Sequence, residues 1–231
     1  MGKMLREWFL EERAKLREMT FKQAFRYIRH YYWMWICGIL GGIAAIIYLI
    51  VLLFRGTPEY HLFAVFADTR ARAGNNSRIW RDFTEYSGWD LSQKQVEFNA
   101  AVYFDYIKDQ GRGNTYYNSF ITYADTGTLD LITMDPQQIA ALGQSGRLLD
   151  WNLERCAALR EKYADRLLWY EPPEDAPEQT GPVPVGIDVS DSLLVTRYGL
   201  YPESCGLGIG AESTRLEAVG VFLDFIFSAE D

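Results

Sequence analysis

The strongest pattern along the chain is an apolar stretch near its N-terminus. Residues 33–54, WMWICGILGGIAAIIYLIVLLF, contain no charged side chain. A helix rises about 1.5 Å per residue, so this stretch would be about 33 Å long, which matches a hydrocarbon core of about 30 Å. The pattern therefore predicts a transmembrane helix over Trp33–Phe54.

The charges on either side of this stretch predict its orientation. Residues 1–32 hold eight basic side chains against four glutamates, whereas Arg55 is the one basic residue close behind the stretch. Basic flanks stay on the cytoplasmic side. The stretch is longer than the apolar core of a cleaved signal peptide and lacks small residues at a cleavage site. We expect an uncleaved signal anchor in the cell membrane, single-pass, with a cytoplasmic N-terminus and an extracytoplasmic C-terminal domain.

Three segments follow from this reading: a cytoplasmic basic and amphipathic segment over residues 1–32, the signal anchor over 33–54, and an extracytoplasmic α/β domain over 55–231. Thr20 and Gln23 have the spacing of a capping box, which predicts a helix that begins at Phe21. The basic face of this helix could lie on anionic headgroups, or the helix could simply orient the anchor.

The membrane segment carries two further patterns. Gly38 and Gly42 form a small-xxx-small pair, which lets two helices approach closely and would support a homodimer, although glycine is also common in transmembrane helices that do not pair. Aromatic side chains occupy the expected membrane–water boundary, where such rings prefer to lie. They are Tyr31, Tyr32, Trp33 and Trp35.

Beyond Pro58, short apolar runs alternate with stretches of helical period, which is typical of an α/β fold. We expect strands at 61–67, 96–103, 129–134, 167–170 and 183–189 and around Leu207 and Ile209. We expect helices at 78–86, 115–124, 137–142 and 153–166, and a last one behind the capping-box pair Thr214 and Glu217. The pattern predicts a three-layer α/β sandwich.

The charge of this domain excludes one class of partner. Of the 23 basic and 31 acidic residues in the chain, nine and four precede Gly56, which leaves residues 56–231 with a net charge of −13. Such acidity argues against binding to nucleic acid. It could attract cations, or it could serve solubility alone.

One segment carries a resemblance to a known family. In "YYNSFITYADTGTLDLITMDPQQIAALGQSGRLLDW", an aromatic helix precedes a glycine, a strand opened by Asp130, a helix, and the motif Gly146-x-Leu148-x-Asp150. This order resembles the first lobe of extracellular solute-binding proteins with the type 2 periplasmic-binding fold. "VPVGIDVSDSLLVTRYG" and "CGLGIGAESTRLEAVGVFLDFIF" look like the return strands and C-terminal helix of that family. Family members usually have two lobes, whereas residues 56–231 suffice for about one.

The resemblance implies non-enzymatic binding of a small solute at a bacterial cell envelope, with a possible link to a transporter. The alternative is a structural module that binds another envelope protein through a former ligand surface. An open α/β sheet favours the carboxyl ends of its strands, where helix N-termini also present free amides. This rule selects Asp68 and Thr69 after the first strand, and Asp135 and Gln137 after the third. Each of these residues could instead serve in a turn or as a helix cap. For Asp135, its place before a helix is enough to explain the residue type without a ligand.

The chemistry of common enzymes is weakly represented. His61 is the one histidine of residues 56–231, which excludes a His-based zinc cluster. "GQSGR" is not the Gly-x-Ser-x-Gly elbow, and "GLGIG" lacks the spacing of a dinucleotide fingerprint. Acidic residues are numerous enough for a chance pair with glycosidase geometry. We expect no catalytic residue, no metal site and no cofactor.

Two other sets of residues have alternative roles. The aromatic residues between positions 103 and 123 could stack on a sugar, or they could fill a core or a partner interface. Cys156 and Cys205 would face an oxidising compartment, where they could form a disulfide or remain two buried free thiols.

Overall fold

The computed structural model of this chain describes residues 20–31, 33–54, 58–172 and 181–228, with isolated positions between residues 10 and 17. The chain divides into two units, and the boundary lies between Thr57 and Pro58.

The described part of the N-terminal unit contains two helices, α1 (Phe21–Tyr31) and α2 (Trp33–Phe54). Half of the expected capping box forms at the start of α1, because the Gln23 side chain accepts from the Thr20 amide, whereas the Thr20 hydroxyl donates to Gln23 Oε1. Thr20 N donates to Gln23 Oε1 at 3.1 Å, and Gln23 N donates to Thr20 O at 2.8 Å. These hydrogen bonds use donors that a helix start would otherwise leave without partners.

Helix α2 covers the same 22 residues as the apolar stretch of the sequence. Its side chains are described without a gap only at positions 37–51. Among the described residues, no helix is long and apolar enough to cross a membrane.

The membrane-related positions fall partly inside the described residues. Gly38 and Gly42 lie on α2, and apart from the adjacent residues and the helix backbone, no described atom lies within 4 Å of where a Cβ would stand on either glycine. Trp33 is exposed. The remaining aromatic side chains expected at the interface lie outside the described residues. They are Tyr31, Tyr32 and Trp35.

The C-terminal unit is built on one six-stranded sheet, with the order β2-β1-β3-β6-β5-β4. Strand β1 runs parallel to both β2 and β3, whereas β6 is antiparallel to β3 and β5, and β4 is antiparallel to β5. The predicted α/β class is confirmed, with a mixed sheet. The strands are β1 (Tyr60–Ala67), β2 (Gln95–Val102), β3 (Leu131–Met134), β4 (Leu167–Tyr170), β5 (Val183–Asp188) and β6 (Gly206–Ile209).

Helices connect these strands. They are α3 (Arg78–Ser87), α4 (Tyr106–Asp109), α5 (Thr115–Asp125), α6 (Pro136–Leu142), α7 (Ala157–Lys162), α8 (Leu193–Thr196) and α9 (Leu216–Ile226). Short 3-10 turns occupy Gly143–Ser145, Glu154–Cys156 and Ala164–Arg166.

Two hydrophobic cores lie on opposite faces of the sheet. Side chains alternate across a strand, so successive residues of β1 enter different cores. Leu62 and Phe66 belong to the core that includes residues of α3, α8 and α9. Phe63 and Val65 belong to the core that includes residues of α4, α5 and α6. The sheet is therefore the middle layer between two layers of helices.

Glycines in β5 and β6 allow close packing across the sheet. A Cβ on Gly206 would lie 2.9 Å from the Cα of Pro136 in α6, and a Cβ on Gly186 would lie 2.4 Å from the carbonyl oxygen of Leu207. The segment "GLGIG" thus belongs to a buried strand, and its glycines serve packing.

Two local expectations are wrong. Residues 153–166 do not form one helix, because the backbone of Tyr163 leaves helical geometry (φ −119°) and separates α7 from a 3-10 turn. Thr214 does not cap α9, which begins at Leu216 after Arg215, and no side chain caps it. The side chain of Arg215 is instead held by the buried carboxylate of Asp130.

Candidate ligand-binding cleft

A cleft of about 500 Å3 lies at the carboxyl edge of the parallel strands. One aspartate of its lining follows each of these strands: Asp68 follows β1, Asp105 follows β2, and Asp135 follows β3. The carboxyl ends of parallel strands meet at one edge of a sheet, which is where α/β folds bind ligands. The other lining residues are Arg70, Phe104, Gln138, Tyr201, Pro202 and Ser204.

Asp68 occupies an unusual backbone position at this edge. Its φ of 56° is left-handed, a region that Asp and Asn tolerate better than most residues. Its N–H donates to Val102 O at 2.9 Å, and the Phe104 N–H donates to its carboxylate. Burial, followed by the negative charge of Asp105, raises the pKa of Asp68 to about 6, although the hydrogen bond from the Phe104 amide opposes this rise. The charge of the cleft therefore changes near pH 6.

Asp105 is held by the first turn of α4 and by Gln138 of α6. Its Oδ1 accepts from Lys108 N at 3.0 Å and from Gln138 Nε2 at 2.7 Å. Gln138 Oε1 in turn accepts from the Tyr106 and Ile107 amides, at 2.8 and 3.2 Å. The Gln138 hydrogen bond, followed by the Lys108 amide, lowers the pKa of Asp105. Asp105 therefore keeps its negative charge more readily than Asp68.

Asp135 has both of the roles that the sequence suggested as alternatives, a helix cap and a residue of the cleft. It caps α6, because its Oδ1 accepts from Gln137 N at 2.9 Å, and Pro136 occupies the first helical turn. Its Oδ2 accepts from Ser204 Oγ at 3.3 Å, and the residue also lines the cleft. Gln137 is not among the lining residues; its neighbour Gln138 lines the cleft instead.

Aromatic side chains form part of the cleft wall. Tyr201 and Phe104 are each 4% exposed. The Tyr201 hydroxyl lies 2.8 Å from Thr133 Oγ1 and donates to Thr133 O at 2.8 Å. Burial raises the pKa of Tyr201 far above its ordinary value. Tyr201 thus remains a neutral wall residue, whose hydroxyl is bonded to β3.

A second cleft, of about 490 Å3, lies beside the first. Thr69 lines this second cleft, whereas Asp68 lines the first, so these adjacent predicted residues are divided between the two clefts. Arg70 lines both clefts, and Arg72 lines the second. Likewise, Tyr103 lines the second cleft and Phe104 lines the first.

Sequence reasoning identified Asp68 and Asp135 but missed Asp105, Gln138 and Arg70. Asp68 and Asp135 were selected as polar residues directly behind a strand, whereas Asp105 stands three residues after the end of β2 and precedes the short helix α4. Gln138 reaches the cleft from the first turn of α6, and Arg70 reaches it from the loop after β1. Neither residue directly follows a strand.

The motif residue Asp130 has a different role, at the amino end of β3. It is 0% exposed, and its carboxylate accepts from Phe63 N (2.8 Å), Ser213 Oγ (2.7 Å) and Arg215 Nε (2.9 Å). Burial raises the pKa of Asp130, and the Arg215 and Ser213 hydrogen bonds oppose this rise. Asp130 joins β1, β3 and the start of α9, and it lies outside both clefts.

Other reactive groups do not gather at the clefts. The His61 ring stacks on Trp89 with centroids 5.0 Å apart, and its Nε2 lies 3.1 Å from Asp90 O. Cys156 and Cys205 are both free and fully buried. Within the described part of the chain, no three His, Cys, Asp or Glu side chains converge as metal ligands would.

The aromatic residues behind β2 divide between core and surface. Phe104, Tyr106 and Tyr117 are buried in the core next to α5. Tyr103 and Tyr116 are 47% and 44% exposed, and their ring centroids lie 5.6 Å apart.

Comparison of this chain with protein-family models, with curated proteins and with solved structures found no match.

Proposed function

We propose that this protein is a membrane-anchored binding protein whose extracytoplasmic domain holds a small polar solute without transforming it. One observation carries the proposal. Three strand ends bring Asp68, Asp105 and Asp135 to a single cleft with aromatic walls. Ligand sites of open α/β sheets lie at this edge, and they combine apolar walls with a few placed polar groups.

The resemblance of residues 116–151 to one lobe of a solute-binding protein supports the same function. A single sheet with helices on both faces is compatible with one such lobe. By this analogy, the bound solute could be passed to a transporter in the same membrane. The proposal rests on the residues that line the cleft, because one fold serves proteins of many different functions.

The proposed anchor is the helix Trp33–Phe54. Its sequence is free of charge over 22 residues, and the basic residues precede it. We infer that the N-terminus is cytoplasmic and that residues 58–231 lie on the other side.

Cell fractionation and protease accessibility test this topology. The full chain should remain with membranes after carbonate extraction, and protease added to spheroplasts should degrade residues 58–231. Deletion of residues 33–54 should release the protein from the membrane fraction. Protection of residues 58–231 in intact spheroplasts would reverse the proposed orientation.

A thermal-shift panel tests the binding function. The purified full-length protein in detergent is melted against sugars, amino acids, peptides and metal ions. A ligand at 100 times its dissociation constant adds about 2.7 kcal/mol, and a domain of this size gains roughly 2–4 °C per kcal/mol. We expect a shift of several degrees with one compound class.

Two variants locate the binding site in this experiment. Asp68→Asn removes a cleft carboxylate, and asparagine tolerates the left-handed backbone at this position. It should therefore reduce the shift without unfolding the domain. Glu161→Gln changes an exposed carboxylate that lines neither cleft, and should leave the shift unchanged. An unshifted melt with every compound would refute solute binding.

An interaction module is the second candidate, and the exposed Tyr103–Tyr116 pair favours it. Exposed aromatic side chains are common at protein interfaces. If solutes give no shift, crosslinking in intact cells should capture an envelope protein, and Tyr103→Ala together with Tyr116→Ala should abolish that crosslink. A crosslink that survives both substitutions would exclude this patch as the interface.

A further inference from the structure

We propose that the ligand of the cleft is a small zwitterion, with an ammonium among Asp68, Asp105 and Asp135 and a carboxylate on Arg70. The inference rests on the proposed function, because it names the solute class for the same cleft. The observation behind it is that Arg70 lines both the acidic cleft and the neighbouring cleft. Groups of opposite charge therefore stand two residues apart along one segment of the chain.

The acidic side of the cleft retains capacity to accept hydrogen bonds. A carboxylate has about four lone-pair positions. Asp68 accepts from one amide, and Asp135 accepts from Gln137 N and Ser204 Oγ. An ammonium has three donors and no acceptor, so it matches carboxylate oxygens that still have free lone pairs.

The guanidinium of Arg70 is available for the other end of the ligand. Its side chain is exposed. Among residues 58–172 and 181–228, neither Arg70 nor Arg72 forms an ion pair with a carboxylate. The planar fork of a guanidinium matches a carboxylate with two parallel hydrogen bonds. Thr69 and Arg72 add a hydroxyl and a second positive charge to the second cleft, which Glu97 also lines with a carboxylate that accepts from Asn75 Nδ2 at 2.7 Å.

The segment that carries the two charges is fixed by its backbone. The N–H of Asp68 donates to Val102 O, and the N–H of Arg70 donates to Leu200 O, both at 2.9 Å. A segment whose backbone is already in place loses less entropy when a ligand binds. The fixed segment therefore favours a ligand with a defined separation between its positive and negative groups.

Arg70 could instead serve only to balance the three carboxylates. These two roles predict different results for small amines when Arg70 is removed. A balancing arginine competes with an amine, so its removal would strengthen amine binding. A ligand-binding arginine leaves amine binding nearly unchanged when it is removed, and its loss weakens only ligands that carry a carboxylate.

Isothermal titration of the purified full-length protein in detergent separates these roles. The probes are glycine, 3-aminopropanoate, 4-aminobutanoate and 6-aminohexanoate, which vary the separation of the two charges. Each is compared with the amine and the carboxylate of the same chain length. We expect one spacing to bind at least about tenfold more tightly than its matched amine, as one charge-assisted hydrogen bond would give.

Variants assign the two ends of the ligand. Arg70→Ala should weaken the best ω-amino acid to the level of its matched amine and change the affinity for that amine by less than about twofold. Asp68→Asn should weaken both compounds. Arg81→Ala removes an exposed arginine of α3 that lines neither cleft, and should change nothing.

The outcomes distinguish this inference from the proposed function. Equal binding of amine and ω-amino acid, tighter amine binding by Arg70→Ala, or a hit in the wider panel restricted to uncharged sugars would overturn the zwitterion and keep solute binding. The absence of binding by every probe and every panel compound would overturn both.

Discussion

At the scale of single residues, Asp68 links the cleft to pH. Its pKa of about 6 lies above the ordinary value of 3.8, so the folded state binds the proton more tightly than the unfolded state. The contribution of Asp68 to stability is therefore greatest below about pH 4 and declines as the pH rises to about 6. Asp68→Asn removes this decline. Thermal melts from pH 4 to pH 7 should show the variant gaining stability relative to the wild type as the pH rises.

Asp191 provides a control, because folding lowers its pKa whereas it raises that of Asp68. Its Oδ2 accepts from Arg166 Nη2 at 2.8 Å, and this contact lowers the pKa of Asp191. Its contribution is present above the unfolded pKa and is lost as the pH falls through the folded pKa. Asp191→Asn should therefore lose stability relative to the wild type at pH 7, and lose less at low pH. Parallel curves for both variants would contradict the assignment to Asp68.

The buried Asp130 should matter more for stability than any exposed ion pair. Asp130→Ala leaves Arg215 and Ser213 without their buried acceptor, which we expect to cost about 3–5 kcal/mol. Asp125→Ala breaks the pair with Arg147, whose side chains are 52% and 29% exposed, and should cost about 1 kcal/mol or less. Urea unfolding of a fragment of residues 58–231 measures both. Equal costs would mean that Asp130 is dispensable for the fold.

The residues of the cleft were predictable only where their position in the chain was informative. Asp68 and Asp135 directly follow apolar strands, and this position identified them. Asp105 was missed because a short helix of four residues, α4, leaves no periodic signal. Arg70 was missed because the path of the loop after Asp68 depends on contacts with Val102 and Leu200, which are distant in sequence.

At the scale of elements, β5 and β6 approach so closely that we expect a side chain at Gly186 to destabilise the domain. A Cβ on Gly186 would lie 2.4 Å from Leu207 O, a backbone atom that the sheet holds in place. Gly186→Ala should therefore cost at least about 1–3 kcal/mol. Gly220 of α9 has open space around its Cβ position, so Gly220→Ala should stabilise by up to about 1 kcal/mol. Urea unfolding distinguishes the two, and a tolerated Gly186→Ala would show that the strands can separate.

The strands were the most predictable elements, because buried strands appear as short apolar runs between turn residues. The helical stretch 153–166 was not, since a helix and a series of 3-10 turns share similar spacing. Thr214 matched a capping box by residue type, but Ser213 and Arg215 on either side of it are bonded to Asp130, which no local pattern reveals.

At the scale of the whole C-terminal unit, burial should protect both of its cysteines. Cys156 and Cys205 are each 0% exposed and free, and burial raises the pKa of both thiols. In the fragment of residues 58–231, a maleimide should label neither thiol until the domain unfolds, and should label both in urea. Mass spectrometry counts the maleimide groups attached to the fragment. A mass lower by two hydrogens, with no labelling in urea, would reveal a disulfide.

The position of β6 also determines when this domain can fold. Strand β6 comes last of the six strands in chain order, yet it pairs with β3 on one side and β5 on the other. Until β6 has paired with them, β3 and β5 expose open edges, which invite pairing with other chains. The five earlier strands therefore cannot complete the sheet until β6 is present. A chain that ends before Gly206 is a candidate for aggregation and for proteolytic clearance.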